Sequence, residues 1–207
     1  MRFDSVIFDL DGTLWNASEN VTAAWNVILS REGRELRLKP RDVVSAMGLT
    51  MYGIADALFS TVPVPERYAL MDRCCDYENE YLREHGGRLF DGVETTLDAL
   101  SRTHRLFIVS NCPEGYIEAF LHAHGLGRYF EGFDCWGRTR VEKGETNRML
   151  IERMHLRAPL YVGDTDGDSR SARHVSIPFV WARYGFGTPA SYDYAVDSFP
   201  ELLTIID

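Results

Sequence analysis

The 207-residue chain is 45% hydrophobic and 26% charged, with a formal net charge of −9. That balance supports a packed globular core, while the acidity, with no cluster of Lys and Arg, argues against a nucleic-acid partner. No stretch approaches the ~18 apolar residues of a membrane helix, the first dozen residues lack a leader pattern, and the four cysteines form no C-x-x-C pair. A cytoplasmic protein with reduced thiols and no membrane attachment is expected.

Ser5-Val6-Ile7-Phe8 is a short, β-rich apolar run that ends at Asp9-Leu10-Asp11-Gly12-Thr13. An unbroken run of this kind reads as a strand buried on both faces of a parallel sheet. Helical patterns follow over residues 20–32, 40–47, 51–59 and 65–85, and Gly86-Gly87 closes the series. Beyond it come a helix over 93–101, a strand over 106–109 ending at Ser110-Asn111, and a helix over 113–124. A helix over 143–155, a strand over 160–162 ending at Gly163-Asp164, a strand over 178–181 and a short closing helix over 199–203 complete the chain.

Strands alternating with helices predict an α/β fold with an open, Rossmann-like parallel sheet. The first two strands are about 100 residues apart, whereas a crossover unit needs roughly 30. The surplus reads as an inserted helical subdomain over 16–87, leaving 1–15 and 88–207 as the α/β core. Its hinges are expected just after Leu14 and at Gly86-Gly87.

Open α/β sheets bind ligands beyond the carboxyl ends of their strands, and three expected strands end in polar groups suited to one reaction. Asp9 and Asp11, two residues apart, both reach such a crevice; paired carboxylates repel unless a cation joins them. Magnesium suits them, as a hard ion that prefers carboxylate, water and phosphate oxygens. Asp9 is then placed to attack phosphorus, and Asp11 to protonate the leaving alcohol and deprotonate the hydrolytic water. Gly12 permits close backbone approach and Thr13 offers a hydroxyl to phosphate. Ser110 and Asn111 offer donors to phosphoryl oxygens, Lys143 a cation, and Asp164 and Asp168 further metal ligands.

Each feature alone has a plainer reading: an acidic turn, a helix cap before Pro113, a surface lysine. The spacing Asp164, Asp166, Asp168 resembles a calcium loop, but Val175 stands where that loop needs Glu. The six histidines have no ligand spacing, and Tyr77, Tyr81, Trp181 and Tyr184 read as packing residues. Trp15 suits either packing at the hinge or contact with substrate.

Taken in order, Asp9 to Leu14 (DLDGTL), Ser110, Lys143 and Gly163 to Asp168 (GDTDGD) resemble the four motifs of the haloacid dehalogenase-like hydrolase superfamily. The resemblance implies a nucleophilic Asp9, and an acid/base Asp11 whose backbone carbonyl also serves magnesium. It further implies phosphate binding by Ser110 and Lys143, a metal site completed by Asp164 with Asp168 in support, and an α-helical cap. A carboxylate at position 11 speaks for phosphate rather than halide chemistry.

Met47-Gly48-Leu49 and Ala57-Leu58-Phe59 are similar to the cap segment of phosphoglycolate phosphatase-like members. Asn16-Ala17, Asp91-Gly92 and Cys112-Pro113 depart from that group's pattern. The implied function is magnesium-dependent hydrolysis of a small phosphorylated metabolite by a monomer or homodimer. A phosphosugar mutase, a pyrophosphatase or nucleotidase, and a regulatory protein that binds without turnover are the alternatives.

Overall fold

The computed structural model describes residues 2–206; residues 1 and 207, at the ends of the expected core, lie outside them. Six strands form one parallel sheet: β1 (Ser5–Phe8), β4 (Arg105–Ser110), β5 (Gly132–Cys135), β6 (Pro159–Gly163), β7 (Phe179–Ala182) and β8 (Tyr194–Val196). They lie side by side in the order β5-β4-β1-β6-β7-β8. Counted within the sheet this is 3-2-1-4-5-6, the doubly wound order whose direction reverses beside the central strand. The register sets Phe8 against Ile108 on one side and Val162 on the other.

The apolar runs form strands because both faces of the sheet are covered. Val6 and Phe8 pack into one core with Leu106, Ile108, Leu160 and Val162. Their neighbours Ile7, Phe107, Val109 and Tyr161 point the opposite way into a second, as the two-residue strand period requires. Helices α5 (Val93–Ser101), α6 (Tyr116–His124), α8 (Lys143–Met154) and α9 (Asp166–His174) connect the strands, with a short α7 (Trp136–Thr139) and a closing α10 (Leu202–Ile206).

Between β1 and β4 the chain forms four helices: α1 (Ser18–Arg31), α2 (Pro40–Ala46), α3 (Met51–Leu58) and α4 (Val64–His85). The two passages to and from this helical segment run side by side as an antiparallel ribbon of β2 (Trp15–Asn16) and β3 (Arg88–Leu89). Gly87, just before β3, has no room for a side chain, since a Cβ there would stand 2.7 Å from the Trp15 ring. Trp15 is wholly buried against Tyr116, Phe120 and His124, so its place is packing at this junction. None of the helices among the described residues is long and apolar enough to cross a membrane, and all four cysteines are free thiols.

Several elements differ from expectation. The helix expected from Pro113 begins at Tyr116, because Gly115 takes the left-handed conformation at φ 94° and breaks the turn before it. β5 and β8 were not expected: β5 carries Asp134 in its apolar run, where Arg153 binds it at 2.6 Å, and β8 has only three residues. α9 was not expected either. Its buried face is Asp168, Ser169, Ser171 and Ala172, which shows no apolar periodicity.

Candidate active site

The carboxyl ends of β1, β4 and β6 converge on one crevice beneath the helical segment. A cavity of about 40 Å³ lies there, lined on the sheet side by Asp9, Asp11, Ser110, Asn111 and Lys143, and on the helical side by residues that include Trp25, Met47, Gly48, Leu49 and Glu78. Met47-Gly48-Leu49 thus faces the crevice, whereas Ala57-Leu58-Phe59 does not line it.

Asp9 follows β1 directly and is tied to the sheet by its N–H, which donates to the Val162 carbonyl at 2.8 Å. Lys143, the first residue of α8, is buried and bridges two acids. Its Nζ donates to Asp9 Oδ1 at 2.6 Å and to Asp168 Oδ1 at 2.5 Å. Burial works against the ammonium charge, but Asp168 and Asp9 outweigh it and hold the lysine well above its usual range. Asp168 is itself fixed as the third helical residue of α9. Its Oδ2 accepts from Thr165 N and Oγ1 at 2.9 and 2.6 Å, and its own N–H donates back to Thr165 Oγ1. This reciprocal capping box accounts for the start of a polar helix inside Gly163 to Asp168.

Asp164 is wholly buried, and its Oδ2 accepts from Phe186 N at 2.6 Å while Oδ1 has no partner. Gly12 makes this approach possible. It adopts φ 86°, and a Cβ there would fall 2.2 Å from Asp164 Oδ2. Carboxylate oxygens of Asp9, Asp164 and Asp168 lie within 4.8 Å of one another, a cluster able to hold a metal ion. Asp166 turns away, its Oδ1 accepting from Ala190 N at 3.0 Å. The segment is therefore a strand-to-helix turn and not a calcium loop.

The Asp11 side chain stands outside that cluster and lines the cavity. Its Oδ1 accepts from Tyr116 Oη at 2.9 Å, a contact across 105 positions that no local pattern announces. Burial first, and the Asp9 charge second, raise Asp11 to about 7. Burial and the Asp168 charge raise Asp9 to about 6, against the pull of Lys143.

Two sequence-based assignments fit less well. Gly12 N–H is spent on the Trp15 carbonyl at 2.9 Å, and the Thr13 hydroxyl is buried without a partner, outside the cavity lining. Neither stands on the cavity wall as a phosphate donor. Asn111 does line it, but its Nδ2 donates to Gly48 O at 2.8 Å, joining the sheet to the helical segment. Sequence reasoning missed Tyr116, Trp25 and Glu78. Glu78 alone had a signal, an acid set among Met71, Cys74, Cys75 and Leu82 on the buried stripe of α4.

A family model for haloacid dehalogenase-like hydrolases matches residues 6–182. The chain belongs to the haloacid dehalogenase-like hydrolase family. This family member is 29% identical to a plasmid phosphoglycolate phosphatase of Cupriavidus necator, over 97% of this chain and 93% of that one. It is 26% identical to a 5'-nucleotidase of Pseudomonas aeruginosa, over 91% and 86% of the two chains. In fold it matches the crystal structure of a predicted phosphoglycolate phosphatase from Haemophilus somnus, with TM-score 0.88, 22% identity and coverage of 100% and 99%. Such kinship makes the hydrolase an enzyme of the phosphoric monoester class.

Stability follows from these acids. Asp9 and Asp11 take up protons more readily in the folded chain than at the ordinary 3.8, so the native state binds more protons between about pH 4 and about pH 7. Stability of the metal-free protein therefore falls as pH rises through that window. A thermal melting series should show Tm declining across it, with a divalent cation reducing the decline. A Tm that climbs steadily through the same window would contradict the assignment.

Proposed function

We propose that this enzyme is a magnesium-dependent phosphatase that hydrolyses a small phosphorylated metabolite through an aspartyl-phosphate on Asp9. The observation that carries the reading is the clamp on Asp9: Lys143 holds one of its oxygens at 2.6 Å at a strand end facing Asp11 and Ser110. A carboxylate held through one oxygen has its other oxygen oriented for attack, with less rotational freedom to lose on the way to the transition state.

Attack by Asp9 on phosphorus forms the P–O bond to its carboxylate as the ester P–O bond breaks, and Asp11 gives its proton to the departing alkoxide. A water then attacks the same phosphorus, Asp11 takes that water's proton, and Asp9 is released with inorganic phosphate. A carboxyl raised to about 7 changes protonation state readily near neutrality, which suits both duties. Ser110 and Lys143 hold the transferring phosphoryl oxygens.

Magnesium fits the residues present. The donor set is all carboxylate, and Asp164 Oδ1 is a buried oxygen without a partner, which is costly unless a ligand satisfies it. Asp9, Asp164 and the backbone carbonyl of Asp11 would hold the ion, with Asp168 supporting the site through Lys143. When bound, the metal neutralises the clustered carboxylates and the phosphoryl charge.

Residues 16–87 form the cap in this reading. A cavity of about 40 Å³ has room for only a few waters, so the cap must draw back to admit substrate and then close to exclude bulk water. The Asn111 to Gly48 bond is a contact that would break. All the groups come from one chain, compatible with a cytoplasmic monomer or homodimer, and the free thiols suit a reducing compartment.

The test is phosphate release from a panel of phosphorylated metabolites and an aryl phosphate. Release should require magnesium, stop with a chelator and return when magnesium is restored. Equal release with and without the metal would contradict the proposal.

A further inference from the structure

The cavity has two chemically different ends. At the sheet end the acids have a cation among them: Lys143 lies between Asp9 and Asp168. At the helical end stands Glu78, 1% exposed on α4, amid Val21, Trp25, Met51 and Ile54. The indole N–H of Trp25 donates to Glu78 Oε2, and no protein cation acts on this acid among the described residues. Lys143 is the one cation of the described lining, and it is already engaged.

A buried acid without a cationic partner is costly to fold. A leucine or methionine at position 78 would continue the apolar stripe of α4 at no such cost. The indole bond orients the acid without neutralising it. The missing complement is a donor that arrives with the ligand.

Resting on the phosphatase reading above, we infer that Glu78 determines specificity: it accepts a hydrogen bond from a hydroxyl or ammonium on the leaving group and selects against a carboxylate. The substrate class is then the phosphate monoester of a small alcohol with a second hydroxyl or an amino group. A carboxylate in that place meets no free cation and faces an acid, which is rejection by an unpaired charge. Burial raises the Glu78 carboxyl well above its usual range. A neutral acid still offers a carboxylate ligand only one hydrogen bond and no countercharge. The trait therefore separates this chain from enzymes selective for 2-phosphoglycolate.

Three esters with the same two-carbon skeleton test the inference: 2-phosphoglycolate, 2-hydroxyethyl phosphate and O-phosphoethanolamine. Their kcat/KM values are compared in the wild type and in Glu78→Gln, with magnesium present. Glutamine keeps an acceptor for Trp25 and removes the acid. The wild type should favour a donor-bearing ester over 2-phosphoglycolate by about tenfold or more, and E78Q should shrink that ratio by a similar factor. Loss confined to O-phosphoethanolamine identifies an ammonium, and loss shared with 2-hydroxyethyl phosphate identifies a hydroxyl.

Because ratios are taken within one preparation, a partly unfolded variant does not distort them. Trp25→Phe, which frees the Glu78 oxygen, gives a second reading of the same ratio and should also change it. A wild type that prefers 2-phosphoglycolate, or a ratio unmoved in E78Q, overturns the inference. Hydrolysis of an aryl phosphate with none of the three esters turned over overturns it while sparing the phosphatase reading. Failure with every ester, the aryl phosphate included, ends both.

Discussion

Asp9→Asn should lower kcat by roughly 10⁴-fold or more while leaving the protein folded, since an amide cannot form the covalent intermediate. The fold should survive because the substitution is nearly isosteric and leaves an oxygen to accept from Lys143, which reaches Asp9 Oδ1 in the native chain. Asp9 is also disfavoured electrostatically, with burial and the Asp168 charge lifting it to about 6. Removing that charge relieves part of the strain, so Tm should be unchanged or higher near neutral pH. Steady-state assays on an aryl phosphate beside thermal melts separate the two effects. A variant retaining a tenth of the activity would rule out Asp9 as the nucleophile.

Lys143→Met should damage both stability and turnover. The lysine is buried between Asp9 and Asp168, and its loss leaves two carboxylates without their cation. Breaking a buried pair on one side costs about 3–5 kcal/mol, and losing one preorganised donor to phosphoryl oxygens costs about 10²–10³ in kcat. The sign of the pH effect is specific. With Lys143 gone, Asp9 and Asp168 lose the cation that favours their ionised forms and take up protons more readily, so the destabilisation should shrink as pH falls. Urea unfolding at two pH values checks this. A variant as stable as the wild type at neutral pH would show that the bridge contributes nothing.

Strands β1, β4 and β6 were legible because burial on both faces leaves an unbroken apolar run, and their ends therefore pointed to Asp9, Ser110 and Asp164. The helices between residues 18 and 85 were legible within a few positions, since each shows its own apolar stripe. Asp134 hid β5, because an acid in an apolar run reads as an interruption until Arg153 is seen to hold it. Asp168 served two purposes at once, capping α9 and binding Lys143, and the polar helix it begins shows no periodicity. The bond from Tyr116 to Asp11 is a product of tertiary packing and has no sequence signature. Glu78 is the instructive case: the acid sat on an apolar stripe, in plain view, where a core residue belonged.

The central claim is a phosphoryl group carried on Asp9, and rapid acid quenching of the enzyme during turnover tests it most directly. Mass analysis of the quenched protein should find one added phosphoryl group, labile to hydroxylamine, on the peptide containing Asp9, and none in Asp9→Asn. Phosphate released at full rate with no adduct at any quench time, or an adduct on another residue, would contradict it.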